Sequence, residues 1–242
     1  MKYSIIIPTL NEEKLLPGIL NQLANPELRK LFDLEIIISD GGSKDNTLKI
    51  ALDYADTITV YTEDKFQSIA AGRNIGAKFA TGDILFFFNG DVIIEDPLKL
   101  FNFAKEIFDN SSYLAMTGFI SIFPGDANLL DKLFHYCYNH YFQLLNNIGV
   151  GMGRGECQII RKEIFEELCG YNENCIAGED FDLFRRIRKK GEIKFTGKIR
   201  IYESPRRFRK IGYFSVTWMW IKNGLSVWFK NKSISKIWEQ VR

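Results

Sequence analysis

Apolar residues in this chain fall into two kinds of run. Three stretches are short and unbroken: Ile5-Ile6-Ile7 within residues 2–8, residues 34–39, and Ile84-Leu85-Phe86-Phe87-Phe88. None shows the polar alternation of a strand with one wet face, so each is expected to be a strand covered on both faces, as in a parallel α/β sheet. Each also stops at a turn sequence: Pro8-Thr9, Asp40-Gly41-Gly42-Ser43 and Asn89-Gly90-Asp91. Between them the period changes. Leu15, Leu16, Ile19, Leu20 and Leu23 share one helical face behind Asn11-Glu12-Glu13, whose acids suit a helix N-terminus. Helices over 44–55 and 68–80 and a short strand over 57–61 complete a strictly alternating series. That series predicts right-handed crossovers and a doubly wound, mostly parallel sheet.

Beyond residue 92 the pattern is less regular. It predicts a helix over 98–109, a strand over 114–123 and an aromatic-rich helix over 128–146. After a glycine cluster (Gly149, Gly151, Gly153, Gly155) come a strand over 157–161 and a helix over 162–168. Gly178-Glu179-Asp180 opens a helix over 181–190 with Gly191 as its C-cap, and a strand follows over 193–202. From Ile211 the composition shifts to aromatics and lysines, including Phe214, Trp218, Trp220, Trp228 and Phe229. That tail fits an interfacial amphipathic helix, a helix packed back on the domain, or a homodimer contact.

The 242 residues are 46% hydrophobic and 26% charged, which is a soluble globular composition with ample core. The net charge of +2 is uninformative, but its distribution is not. Between Arg185 and Lys210 there are twelve basic residues against Glu192 and Glu203. Aromatics are not interleaved with this patch as stacking platforms would be, which disfavours nucleic acid as the partner. The four cysteines have no Cys-x-x-Cys spacing and no histidine cluster, so reduced thiols are expected rather than zinc. The first apolar segment is too short for a signal peptide, and no run approaches the ~20 apolar residues of a membrane span. These features lead to the expectation of a cytoplasmic protein, peripheral on the inner membrane face if the tail binds lipid.

In open parallel sheets, ligands bind beyond the carboxyl ends of the strands, where this chain concentrates its polar turns. Pro8-Thr9-Leu10-Asn11-Glu12 could present backbone amides to a ligand oxygen, or be a strand-to-helix turn. Ser39-Asp40-Gly41-Gly42-Ser43-Lys44-Asp45 could place a carboxylate on ribose or a base edge, or be a glycine turn with Asp45 as cap. It matches neither the dinucleotide Gly-x-Gly-x-x-Gly fingerprint nor a P-loop. Arg73, in Gly72-Arg73-Asn74-x-Gly76, could contact a pyrophosphate or pin an acidic loop. Asn89-Gly90-Asp91 offers oxygen ligands for Mg²⁺ or Mn²⁺ shared with substrate phosphates, or is simply a turn. Glu179-Asp180 could supply a general base, or only charge complementarity at a helix start. Arg206 and Arg207, held after Pro205, suit a diphosphate clamp.

In this order and spacing, Pro8-Thr9-x-Asn11-Glu12, Ser39-Asp40-Gly41-Gly42-Ser43-x-Asp45, Gly72-Arg73-Asn74-x-Gly76, Asn89-x-Asp91 and Glu179-Asp180 resemble family 2 glycosyltransferases of the GT-A fold. The resemblance covers roughly residues 3 to 210. Gly178-Glu179-Asp180-x-Asp182-Leu183-x-Arg185-Arg186 and Ser204-x-Arg206-Arg207-Phe208 look like a compact bacterial and archaeal subgroup. The resemblance implies a nucleotide-sugar-binding half (1–95), an acceptor-binding and catalytic half (96–210) and an amphipathic tail (211–242). It implies a UDP- or GDP-type sugar donor, with Pro8, Thr9, Asn11 and Glu12 on the nucleoside. Asp40, with Gly41 and Ser43 in its turn, would meet base or ribose, and Arg73 would lie near the diphosphate. Asp91, beside Asn89 and Gly90, would hold a divalent Mg²⁺ or Mn²⁺, and Arg206 and Arg207 would face the leaving phosphates. Asp180 would be the general base for inverting transfer, and Glu179 would orient the acceptor or hold the loop. The acceptor would be a hydroxyl or, given the tail, a membrane lipid or polyprenyl phosphate. One departure is visible: the family's metal motif usually carries two aspartates, and the first position here is Asn89, which should weaken metal binding without abolishing it. The Gln-x-x-Arg-Trp element of processive synthases is missing, so a single, non-processive transfer is implied.

Overall fold

The computed structural model describes residues 1–63 and 67–235; the last residues of the expected tail, 236–242, lie outside them. The first half follows the predicted alternation. Strands β1 (Tyr3–Thr9), β2 (Leu34–Asp40), β3 (Thr57–Val60) and β4 (Ile84–Phe88) pair in parallel in the order β3-β2-β1-β4. Helices α1 (Leu16–Leu23), α2 (Pro26–Phe32), α3 (Thr47–Leu52) and α4 (Ile69–Lys78) connect them. The two-residue period of a strand divides the core. Ile5, Ile7, Phe86 and Phe88 face α1 and α2 on one side, whereas Ile6, Leu85 and Phe87 pack on the other side with Ala70 and Ala77 of α4. Both faces are covered, which is why these runs carry no polar alternation.

The second half turns the sheet mixed. Strand β7 (Cys157–Arg161) runs antiparallel to β4, and the order continues through β6 (Ala115–Ile122), β8 (Ile193–Glu203) and the short β5 (Val92–Ile94). Four pairings are parallel, three of them in the first half and the fourth between β6 and β8, and three are antiparallel. The register decides where chemistry gathers. Thr9 lies opposite Asp40, Phe88 opposite Cys157, and Val92 opposite Glu203. The ends of β1, β2, β4 and β8 and the starts of β5 and β7 therefore share one edge.

Helices α5 (Pro97–Asn110), α7 (Lys162–Glu167) and α8 (Glu179–Arg188) cover the sheet, and the long α6 (Leu129–Asn147) packs on β6 and β8. The tail folds as α9 (Arg206–Ile211) and α10 (Tyr213–Lys230). It is tied to α6 by Arg209 and Tyr213, both bonded to the buried carboxylate of Asp131. Ring contacts of Phe134 with Tyr213 (4.5 Å between centroids) and Tyr138 with Trp220 (5.4 Å) complete the joint.

Gly76 lets α4 lie directly on β1, since a Cβ there would sit 2.6 Å from Ile6 Cγ2. Gly76→Ala should cost about 1–3 kcal/mol by overpacking, read as a lower denaturant midpoint. An unchanged midpoint would show that α4 can lift off the sheet freely.

Candidate active site

A cleft of about 470 Å³ opens at this shared edge. Pro8, Thr9 and Glu12 line it from β1, Gly41 from the turn after β2, Arg73 from α4, and Asn89, Gly90 and Asp91 from the end of β4. Glu179 and Asp180 enter from the start of α8, and Arg206 and Arg207 from α9. Residues up to 199 positions apart in sequence thus converge, because the register aligns their strand ends and Gly178, at φ +84°, turns the chain into α8.

Three expected contact residues stand behind this lining. Asp40 is fully buried, and its carboxylate accepts from Thr9 Oγ1 (2.9 Å), Gly42 N (2.9 Å), Ser43 N (2.7 Å) and Ser43 Oγ (2.6 Å). These oxygens shape the Asp-Gly-Gly-Ser turn against Thr9. Asn11 accepts from Lys44 N through its side chain, while its own amide donates to Ser43 Oγ (both 2.8 Å). Asn11 and Ser43 therefore lock two loops together, with Asn11 in the left-handed region at φ 54°.

Arg73 is 1% exposed, and its donors are directed at protein acceptors: Glu179 Oε1 (3.0 Å), Asn89 Oδ1 (2.9 Å) and the Gly155 carbonyl (2.7 Å). It braces the β4 turn against the start of α8. The Asn89 carboxamide oxygen is engaged in that brace, so the position that departs from the family motif serves α4 and α8.

Burial pushes the Glu179 carboxyl up to about 7, aided by neighbouring Asp180 and only partly offset by Arg73. Burial also raises Asp180 above the ordinary carboxylate range, against the Phe181 amide that donates to it at 2.8 Å. Two adjacent acids of raised basicity therefore border the cleft, a common arrangement at sites of proton transfer.

On the same cleft lining, Arg206 Nη2 donates to Glu12 Oε1 (2.7 Å) and Asp91 Oδ2 (2.9 Å). Carboxylates from the β1 and β4 loops thus already converge on one cation. Among the described residues no group of three or more His, Cys, Asp or Glu side chains is arranged to hold a metal. The donor set fits a hard divalent ion held by one or two carboxylates, with substrate phosphates and water supplying the remaining oxygens. Asp91, with Glu12 close by, is the residue that would hold it.

Sequence reasoning missed a second polar cluster. Arg154, 4% exposed, donates to Glu156 Oε2 (3.2 Å) and Glu203 Oε1 (3.4 Å), and lies 5.6 Å from the ring centroids of both Tyr138 and Phe142. Burial works against ionisation of Glu156, but Arg154 outweighs it and holds that carboxyl below its ordinary range. Glu203 is driven well above its ordinary range by burial and by Glu156. Burial and then Arg154 push His135 beside them down to about 4, so its ring is neutral near pH 7. The available signal was Arg154-Gly155-Glu156 set directly before an apolar strand, where burying charge requires a partner.

Comparison with known proteins agrees with this geometry. The family model described as "Glycosyl transferase family 2" matches residues 4–169. The O-antigen chain rhamnosyltransferase RfbN of Salmonella typhimurium is 26% identical over 200 residues, covering 79% of this chain and 62% of its own. A validoxylamine A glucosyltransferase of Streptomyces hygroscopicus is 36% identical over 93 residues, 37% of this chain and 22% of its own. The chain thus spans between about a fifth and under two thirds of these relatives' lengths. Among solved structures, the mannosyltransferase PcManGT of Pyrobaculum calidifontis, in complex with GDP-Man and Mn²⁺, superposes with a TM-score of 0.64. That match has 18% identity and covers 93% of this chain and 61% of that one. Glucosyl-3-phosphoglycerate synthase of Mycobacterium tuberculosis, with Mn²⁺, UDP and phosphoglyceric acid, gives 0.63 at 15% identity, covering 93% of this chain and 77% of that one. These structural matches show a shared GT-A architecture. The family match runs from β1 into α7, over the donor-side motifs, and with it this chain belongs to glycosyl transferase family 2.

Proposed function

We propose that the protein transfers one sugar from a UDP- or GDP-type donor to an acceptor hydroxyl by single displacement with inversion. The observation that carries this reading is Asp180, a partly buried carboxylate of raised basicity that lines the same cleft as Asp91 and Arg206. In this reading residues 1–95 bind the donor, residues 96–210 the acceptor, and 211–242 form the tail. Pro8, Thr9 and Gly41 bound the nucleoside, and Arg206 and Arg207 face the diphosphate. Asp180 takes the proton as the acceptor oxygen bonds to the anomeric carbon. The bond from that carbon to the diphosphate oxygen breaks, and the nucleoside diphosphate leaves as an anion. Arginines directed at those oxygens stabilise the charge that develops there. Asp91 would hold a divalent ion, Mg²⁺ or Mn²⁺, which when bound would supply Lewis-acid stabilisation to the same leaving group. The Mn²⁺ in the two neighbouring complexes supports this.

The deciding experiment is thermal unfolding with UDP, GDP, CDP or dTDP, each with and without Mn²⁺. One nucleotide, at many times its dissociation constant, should stabilise the protein by about 2–4 kcal/mol in a metal-dependent way. If no nucleotide shifts the transition, the transferase reading fails. The involvement of Asn89 with Arg73 favours one rival, a protein that binds sugar nucleotides without transferring sugar. It predicts the thermal shift with no sugar transferred to any acceptor.

A further inference from the structure

Helices α6 and α10 each bury one face and leave an apolar stripe in solvent. On α6 the stripe is Leu130, Leu133, Cys137, Tyr141 and Leu144, and on α10 it is Phe214, Trp218, Ile221, Leu225 and Trp228. Steps of three and four residues place each set on one side of its helix. The exposure is large for side chains of this size: Leu133 is 58% and Phe214 83% exposed. The ring contacts between Phe134 and Tyr213 and between Tyr138 and Trp220 hold the helices side by side. Both stripes reach the cleft, since Tyr141 lines it from α6 and Ile221, Leu225 and Trp228 line it from α10.

The charge around these stripes has one sign. The two helices carry Lys132, Lys222 and Lys230, all exposed, and their only acidic residue, Asp131, is buried under Arg209 and Tyr213. Tryptophan, leucine and lysine without exposed carboxylate on adjoining helices is the chemistry of an anionic lipid interface. A docking face for an acidic protein would not need ten apolar side chains, and a water-filled cleft mouth would not need aromatic walls.

The geometry points to α6 and α10 as one docking face for an anionic lipid surface, with the acceptor entering the cleft directly from that surface as the hydroxyl-bearing head of an amphiphile. This deepens the transferase reading and rests on it. The cleft lining favours a hydroxyl head over a phosphate, because Glu156, Glu179 and Asp180 line it and its buried arginines are already engaged, Arg73 by Glu179 and Arg154 by Glu156. A lipid phosphate would meet those carboxylates at close range.

The test is co-sedimentation of the full chain with phosphatidylglycerol vesicles, beside phosphatidylcholine vesicles, for the unaltered protein and the double variant Leu133→Glu/Phe214→Glu. Both positions are outside the cleft lining and well exposed, so folding and nucleotide binding should be unchanged. The unaltered protein should pellet with the anionic vesicles and poorly with the zwitterionic ones. The variant should lose at least about tenfold in partitioning, from removing two apolar anchors. Its nucleotide-induced thermal shift should match that of the unaltered protein, which separates failure of docking from failure of the transferase reading. The proposal is overturned if the unaltered protein stays in the supernatant, or if the variant pellets equally well. It is overturned too if sedimentation velocity shows a dimer that the same substitutions dissociate, since the face would then belong to a second copy. In a product assay with a lipid alcohol and a polyprenyl phosphate, transfer to the phosphate alone would overturn the hydroxyl head.

Discussion

Asp180→Asn should lower turnover by about 10²–10⁴-fold, the usual contribution of a positioned general base. The donor's dissociation constant and the folding midpoint should stay nearly constant. The substitution keeps the shape and can still accept the Phe181 amide bond, so the loss falls on proton transfer alone. The pH profile of the unaltered enzyme carries the same information. A base works only when deprotonated, so activity should fall as pH drops through its raised value. Because Glu179 and Asp180 interact, the acid limb belongs to the pair and should lie above the ordinary carboxylate range. Glu179→Gln removes the adjacent charge and should move that limb to lower pH. An acid limb below pH 5 in the unaltered enzyme, or an Asp180→Asn variant with full turnover, would remove Asp180 from the mechanism.

The largest stability effect should come from Arg73→Met, expected to cost about 3–5 kcal/mol, the usual result of removing one partner of a buried ion pair. Glu179 would be left buried without its cation, and Asn89 and the Gly155 carbonyl without their donor. The loss should depend on pH with a definite sign. Glu179 already has a raised folded value, so its ionisation costs stability as pH climbs through that value, and the cost grows once Arg73 is gone. The variant should therefore be hurt more at pH 8 than at pH 5. Adding Glu179→Gln should recover part of the loss, and urea titration of the four-member double-mutant cycle measures how much. Equal destabilisation at both pH values, with no recovery in the double variant, would mean that Arg73 serves only as packing.

The first four strands were legible because a strand covered on both faces leaves an unbroken apolar run, as Ile84 to Phe88 does. Strand direction was not legible in the same way. β7 buries all but its last residue, much as β4 does, yet pairs antiparallel to it, since periodicity carries no information about which way a neighbour runs. The helix Pro26–Phe32 and the strand Val92–Ile94 went unseen because their apolar positions are too few to establish a period. At the site, residue types and strand ends were readable, and the division of labour among them was not. Arg73 finds Glu179 across 106 positions of sequence, and Asp40 closes its own turn, so neither shows locally whether it faces ligand or protein. Arg154, Glu156 and Glu203 escaped notice for the same reason. Their meaning lies in burial, which only the assembled sheet supplies.

The bridge from Arg206 to Glu12 and Asp91 gives the cleft its own internal counter-ion. Two carboxylates from separate loops would repel if left unpaired, and an arginine from far along the sequence screens them instead. In the proposed reading a divalent ion held by Asp91 would take over the charge that Arg206 now neutralises, which would leave that guanidinium free for the phosphates of the donor.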